Sequence, residues 1–265
     1  KVYTIKDNPD FSKIKYAIIW QLSSDIMIKL KNVKIFFSMG AGVDHILDLK
    51  GYKGQTIIRL KDSFMAERMT NHILSQILFY QLNLRLYFEA QLRRQWIDDI
   101  EPKLNQDITI GIFGLGYLGS FVGKELYKKG YNIIGFKKNK TIKKYIFPVF
   151  SNKKDLKIFL NKSDIIVSIL PKTKETYHII NSKFLKKMKK KSLLINTGRG
   201  STINEKDLIS HLKLNKDFHA SLDVLENEPL NSSSPLWKFN NVIITPHVAS
   251  LTVIKTAVDF IHKRY

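Results

Sequence analysis

The chain has 265 residues, 44% of them hydrophobic, which suffices for one large or two modest cores and excludes a disordered tail. No apolar run reaches the roughly 18 residues of a membrane span, and no basic-then-apolar leader opens the sequence, so a cytoplasmic location with no membrane partner is expected. The absence of cysteine excludes disulfides, thiolate metal sites and Cys nucleophiles, and no metal site is expected.

Lys and Arg number 44 against 23 Asp and Glu, a net charge of +21 that is the footprint of a nucleic-acid binder. The lysines are nevertheless scattered among isoleucine and asparagine. Runs such as Lys186-Lys187 and Lys189-Lys190-Lys191 fall where a solvated helix surface is expected, and no basic-aromatic interleaving accompanies them. No nucleic-acid partner is therefore expected; the field attracts anionic substrates and a phosphorylated cofactor instead.

Two strands, Tyr16–Ile19 and residues 34–37, the second followed by a glycine turn, predict a small α/β region. Residues 69–96 hold no Gly or Pro and space Ile73, Ile77, Tyr80, Leu84 and Tyr87 at helical intervals, which predicts one long helix joining two domains. From Thr109 onward buried strands alternate with amphipathic stretches. The strands are expected at Thr109–Phe113, 132–136, 165–169, Ser192–Asn196 and Val242–Ile244. That alternation predicts an α/β fold with a doubly wound parallel sheet. The expected division is a dinucleotide-binding domain over 70–248, long helix included, and a smaller α/β domain over 1–69 and 249–265.

Gly114-Leu115-Gly116-Tyr117-Leu118-Gly119 follows a strand and opens a helix, the context that a dinucleotide fingerprint requires. The first glycine permits the tight turn, the second lets a pyrophosphate approach the backbone, and the third allows close helix packing. An NAD enzyme offers an acid at the end of the second strand, about 20 residues on, to hold the ribose hydroxyls. Here that strand ends Phe136-Lys137-Lys138-Asn139-Lys140, with no acid between Gly135 and Asp155. A cationic cluster suits a 2′-phosphate, so Lys137 and Lys138 point to NADP (NADPH) as cofactor; ordinary surface lysine is the competing explanation.

Further blocks follow in order. They are 38–45 (SMGAGVDH), 170–176 (LPKTKET), 196–200 (NTGRG), 222–230 (LDVLENEPL) and 245–249 (TPHVA). With the glycine fingerprint they resemble the D-isomer-specific 2-hydroxyacid dehydrogenase family over essentially the whole chain. Trp20 at the close of the first strand, the SMGAGVDH loop and the 91–96 helix end are similar to its glyoxylate/hydroxypyruvate reductase A branch. The resemblance implies a Rossmann-type sheet plus a flavodoxin-like substrate domain that is incomplete at both chain ends, so a partial chain is expected. Gly198 stands where the family more often has alanine or serine, which is expected to loosen the local backbone.

The resemblance assigns roles by position. His247 would give a proton to the substrate carbonyl oxygen while hydride passes from the nicotinamide to the carbonyl carbon. Glu228 would orient that imidazole and favour its charged form. Arg199 would clamp the substrate's carboxylate and ketone oxygens. Backbone N–H groups of Ala41, Gly42 and Val43 would meet the same carboxylate, and Trp20 and Trp96 would wall the pocket, which would restrict it to small 2-keto acids such as glyoxylate and hydroxypyruvate. Cofactor contacts would come from Gly114, Gly116, Tyr117, Leu118, Gly119, Lys137, Lys138, Leu170, Pro171, Thr176 and Thr197, and Asp223 would accept from the nicotinamide carboxamide. A homodimer is implied as well.

Each residue taken alone has a plainer reading. A His after Thr-Pro is commonly a loop residue, Glu before Pro a turn cap, and Arg between glycines a surface group. Met65, Met69 and Tyr87 could wall the pocket beside the tryptophans, but an aromatic or Met stripe is more often plain core. His45, His72, His178, His211, His219 and His262 have no supporting context. A non-catalytic dinucleotide-binding protein of the same fold stands as the alternative, against which the joint presence of Arg199, Glu228 and His247 argues.

Overall fold

The computed structural model describes residues 2–139 and 144–264. The chain forms two compact units, Lys1–Met65 with Thr252–Tyr265, and Ala66–Leu251. In the first, β1 (Tyr16–Ile19), β2 (Ile35–Ser38) and β3 (Thr56–Arg59) form a three-stranded parallel sheet in that order. Its helices are α1 (Ser24–Lys29), α2 (Asp44–Leu47) and α9 (Ile254–His262). The Ser23 hydroxyl caps α1 by accepting from the Ile26 N–H. Ile19, Met27, Leu30, Val33, Phe36 and Ile46 form the core. The returning chain end is tied in by the Thr256 hydroxyl, which donates to Asp62 at 2.7 Å.

The second unit is built on a seven-stranded, all-parallel sheet. Its strands are β4 (Thr109–Phe113), β5 (Asn132–Lys137), β6 (Val149–Ser151), β7 (Ile165–Ser168), β8 (Ser192–Asn196), β9 (Phe218–Leu222) and β10 (Val242–Ile244). Between them run α5 (Tyr117–Lys128), α6 (Asn152–Lys162), α7 (Ser182–Leu185) and α8 (Glu205–Leu214), preceded by α3 (Ser63–Gln81) and α4 (Leu84–Leu92). Strands β7 and β8 are buried along their whole length, as a parallel sheet covered on both faces requires. Successive residues serve opposite faces. Ile110, Ile112, Val167 and Ile195 pack on one side, and Phe113, Ile166 and Leu194 on the other, where the rings of Phe136, Phe159 and Phe184 lie 5.3 to 6.0 Å from Phe113.

Spatial order is β10-β9-β8-β7-β4-β5-β6. The chain therefore winds outward from β4 through β5 to β6, then returns to β7 and winds the other way. The reversal leaves a crevice at the carboxyl ends of β4 and β7, where doubly wound sheets bind ligands. All seven strands being parallel, the loops after β4, β5, β7, β8, β9 and β10 leave from the same edge.

Three features depart from the sequence-based expectations. The single helix expected over 69–96 is two, and α3 begins earlier, at Ser63. The break is at Asn83, whose φ of 53° is a left-handed conformation that no continuing helix contains and that Asn tolerates better than most residues. Strands β3, β6 and β9 were also unexpected; β3 and β6 are short and only half-buried, which blurs their pattern. Among the described residues, no helix is long and apolar enough to cross a membrane.

Burial pushes the imidazoles of His72, His211 and His219, all in the second unit, below the usual histidine range. The unfolded chain then binds protons that the folded unit does not, so this contribution to stability is complete above about pH 6.5 and is lost as pH falls. Urea midpoints should drop between about pH 7 and about pH 5, and His219→Gln should make the drop shallower. Equal pH slopes for the two proteins would rule out His219 as a contributor.

Candidate active site

The fingerprint occupies the turn from β4 into α5. Gly114 sits at φ 111°, and a Cβ on Gly119 would lie 2.0 Å from the Gly114 carbonyl oxygen, so the helix meets the turn as closely as atoms permit. Gly116 is exposed and faces open space, with no atom within 4 Å of where a Cβ would be. No side chain caps α5. The helix dipole favours an anion at this uncapped start. The hydroxyls of Ser168 and Thr197, at the ends of β7 and β8, are buried without a hydrogen-bond partner among the described residues. An open glycine, an uncapped helix start and unpartnered hydroxyls along one sheet edge fit a dinucleotide. Thr197 was expected there; Ser168 was not, because a serine closing an apolar strand gives no sequence signal.

Lys137 ends β5, and Lys138 follows it, exposed. Lys140 lies outside the described residues. The Lys138 ammonium is 3.8 Å from the Glu175 carboxylate, an acid brought from the loop after β7 that a scan along the chain misses. Glu175 is held below the usual carboxylate range by backbone and Thr173 hydrogen bonding and by Lys138. In the same loop the Thr176 hydroxyl donates to the Pro171 carbonyl at 2.6 Å and accepts from the Thr173 N–H at 2.9 Å, so Thr176 shapes the turn that follows Leu170.

Three further loops leave the adjacent strands β8, β9 and β10. After β8, Asn196 Oδ1 accepts from the Gly198 N–H, and its amide donates to the Arg199 carbonyl at 3.1 Å, which fixes the arginine turn. A Cβ on Gly198 would stand 2.6 Å from the Leu170 backbone. The glycine thus permits a close approach between two loops rather than the loosening expected of it. Arg199 is part-buried, and its guanidinium donates to the Gly198 carbonyl at 2.8 Å.

Asp223, after β9, is only 2% exposed. Its carboxylate accepts from the Thr245 hydroxyl at 2.6 Å and from the Val248 and Ala249 N–H groups, both at 2.9 Å. The group expected to face a carboxamide thus uses three acceptor positions to hold the loop after β10. In that loop His247 adopts φ 55°, a left-handed backbone that costs free energy, and its N–H donates to the Asp223 carbonyl at 2.8 Å. Nδ1 of His247 lies 2.8 Å from Oε2 of Glu228, with both side chains partly exposed. The pair leaves Nε2 as the ring nitrogen able to deliver a proton.

Trp20 is 52% exposed at the end of β1, its ring against Gly40, while Ala41, Gly42 and Val43 form the turn between β2 and α2. Trp96 follows α4 and is 90% exposed. Met65 and Met69 are buried in the cores of their own units, the plainer of their two readings.

A family model described as D-isomer specific 2-hydroxyacid dehydrogenase, NAD binding domain, matches residues 75–249. Glyoxylate/hydroxypyruvate reductase A of Escherichia fergusonii is 33% identical over 260 residues, which span 96% of this chain and 82% of that protein. The NADPH-dependent glyoxylate/hydroxypyruvate reductase of Sinorhizobium meliloti, solved with NADP and sulfate, aligns at a TM-score of 0.90 and 31% identity, covering 98% of this chain and 82% of its own. A D-isomer specific 2-hydroxyacid dehydrogenase of Xanthobacter autotrophicus Py2, solved with NADPH and MES, gives the same TM-score of 0.90 at 31% identity, over 96% of this chain and 80% of its own.

The geometry around Asp223 carries a prediction. Asp223→Asn turns one acceptor into an NH2 donor facing N–H or O–H donors, and should destabilise the 245–249 loop by about 1–3 kcal/mol. Amide hydrogen exchange at Val248 and Ala249 should accelerate accordingly. Unchanged protection at both amides would show that the carboxylate does not hold the loop.

Proposed function

Because the chain belongs to the D-isomer specific 2-hydroxyacid dehydrogenase family, in its glyoxylate/hydroxypyruvate reductase A branch, we propose that it reduces short 2-keto acids, glyoxylate and hydroxypyruvate, with NADPH. The observation that carries the reading is the contact between His247 Nδ1 and Glu228, on the same sheet edge as an arginine turn and an open glycine cradle. Glu228 fixes which ring nitrogen faces Glu228 and which faces outward, so Nε2 of His247 protonates the ketone oxygen as it gains charge. Arg199 binds the substrate carboxylate through its planar fork and sets the carbonyl in register with that proton. NADPH, when bound, supplies the hydride to the carbonyl carbon. Gly116 and the first turn of α5 hold its pyrophosphate, and Lys137 and Lys138 meet its 2′-phosphate.

The working form proposed is a homodimer. Leu84, Phe88 and Leu92 share one face of α4 and are 41 to 71% exposed, an apolar surface that a second copy would cover.

His247→Ala should lower kcat by about 10²- to 10⁴-fold while leaving NADPH affinity nearly unchanged, because the imidazole acts on the substrate oxygen. Turnover within a few-fold of the unmutated protein would mean that another group donates the proton. Arg199→Lys should raise KM for glyoxylate despite keeping the charge, since the fork is lost.

Cofactor choice gives a separate test. With Lys138 shared with Glu175, the preference for NADPH over NADH should be on the order of tenfold and should shrink with salt. Lys137→Asp combined with Lys138→Ala should reverse the order of kcat/KM for the two cofactors without changing the ratio between keto acids. Equal kcat/KM for NADH and NADPH at low salt would make these lysines ordinary surface charge.

A further inference from the structure

The loop that carries Glu228 is held by side chains that take no part in the chemistry. Glu228 Oε1 accepts from the Leu225 N–H at 2.9 Å, so the carboxylate that meets His247 is placed by the backbone at Leu225. That backbone in turn rests on the arginine turn: a Cβ on Gly200, next to Arg199, would lie 1.9 Å from the Leu225 carbonyl carbon and oxygen. The adjoining residue is gripped twice. The Glu226 N–H donates to Glu205 Oε1 at 2.7 Å, and the Glu226 carboxylate meets Nε2 of His178.

His178 ties these parts together. Its backbone N–H donates to the Ser201 carbonyl of the arginine turn at 2.9 Å, and its ring reaches the Glu228 loop. The Asn204 amide lies 3.5 Å from Nδ1, and Nε2 faces Glu226. The Tyr177 ring stacks on the imidazole at 3.9 Å, and the His178 backbone holds φ 49°. The His178 and Glu226 side chains are about a quarter exposed, so solvent weakens the contact only in part. Glu205 sits at the start of α8, where burial pushes its carboxyl up and the Glu226 amide acts in the opposite direction. The Glu205 carboxylate and the His178 imidazole thus both hold Glu226, two positions from Glu228.

We propose that His178, Glu226 and Glu205 are positioning residues that bridge the arginine turn and the Glu228 loop, and so set the Glu228 carboxylate against His247 without touching substrate or cofactor. The kinetic part rests on the reductase reading; the structural part does not.

The test uses the full chain and the variants His178→Ala, His178→Gln, Glu226→Gln and Glu228→Gln. Glu226→Gln and His178→Ala should lower kcat for glyoxylate about tenfold, with KM for glyoxylate and NADPH within about twofold. His178→Gln keeps an N–H donor and should recover most of the loss. In a Glu228→Gln background, Glu226→Gln should cost nothing further, because its effect passes through the group already removed. Additive losses, or an unchanged kcat in both single variants, would overturn the proposal. Independently of activity, amide exchange at Leu225 and Glu226 should accelerate in Glu226→Gln, and unchanged exchange there would also overturn it. If the unmutated chain fails to oxidise NADPH with glyoxylate, the reductase reading fails, and the exchange measurement alone decides the positioning role.

Discussion

The geometry of the site depends on one buried carboxylate. Asp223 is acceptor-only and almost wholly removed from water, so every oxygen position left unbonded would cost free energy. The protein meets that demand with a hydroxyl and two backbone amides, all from the loop after β10. The loop is therefore wrapped around the end of β9, and His247 in its middle is held in a left-handed conformation that an untethered loop would relax. His247 stands where it does because its loop satisfies the acid that follows β9. Its partner Glu228 comes from the loop that follows that same strand, so both residues are anchored at one strand end.

Parallel pairing extends this economy across the unit. Seven strands running in one direction deliver six loops to one edge, and the order in which they lie sorts the candidate residues. The loops after β4, β5 and β7, at the winding reversal, hold the glycine turn, the lysines and the Thr173–Thr176 turn. The loops after β8, β9 and β10 hold Arg199, Glu228 and His247. Close backbone approaches stitch neighbouring loops together: Gly198 against Leu170, and Gly200 against Leu225. Larger residues at either place would push these loops apart.

Much of this was legible in the sequence. Buried β-branched runs such as Ile165–Ser168 declare a parallel sheet because both of its faces are covered, and glycines are conspicuous where backbone must approach backbone. The motif residues Arg199, Glu228 and His247 were identifiable from their blocks. What stayed hidden was long-range. Only Asn83 itself, a residue that tolerates the left-handed conformation, hints at the helix break, and one asparagine in a polar and apolar mix is too weak a signal. Glu175 beside Lys138, and Glu226 beside His178, are separated by stretches of chain that only the fold closes. His178 in particular had no local feature to distinguish it from a surface histidine. Asp223 was read as a ligand-facing acceptor, and its bonds inside the protein became visible only with the turn at 245–249 in place.

The central claim is that this constellation reduces a short 2-keto acid at the expense of NADPH. Its most direct test is to mix the unmutated chain with NADPH and glyoxylate at neutral pH and follow absorbance at the nicotinamide band. The account predicts loss of absorbance matched mole for mole by glycolate, and no loss when a simple aldehyde, without the carboxylate proposed to meet Arg199, replaces glyoxylate. No loss with glyoxylate or hydroxypyruvate, or equal rates with the aldehyde, would contradict it.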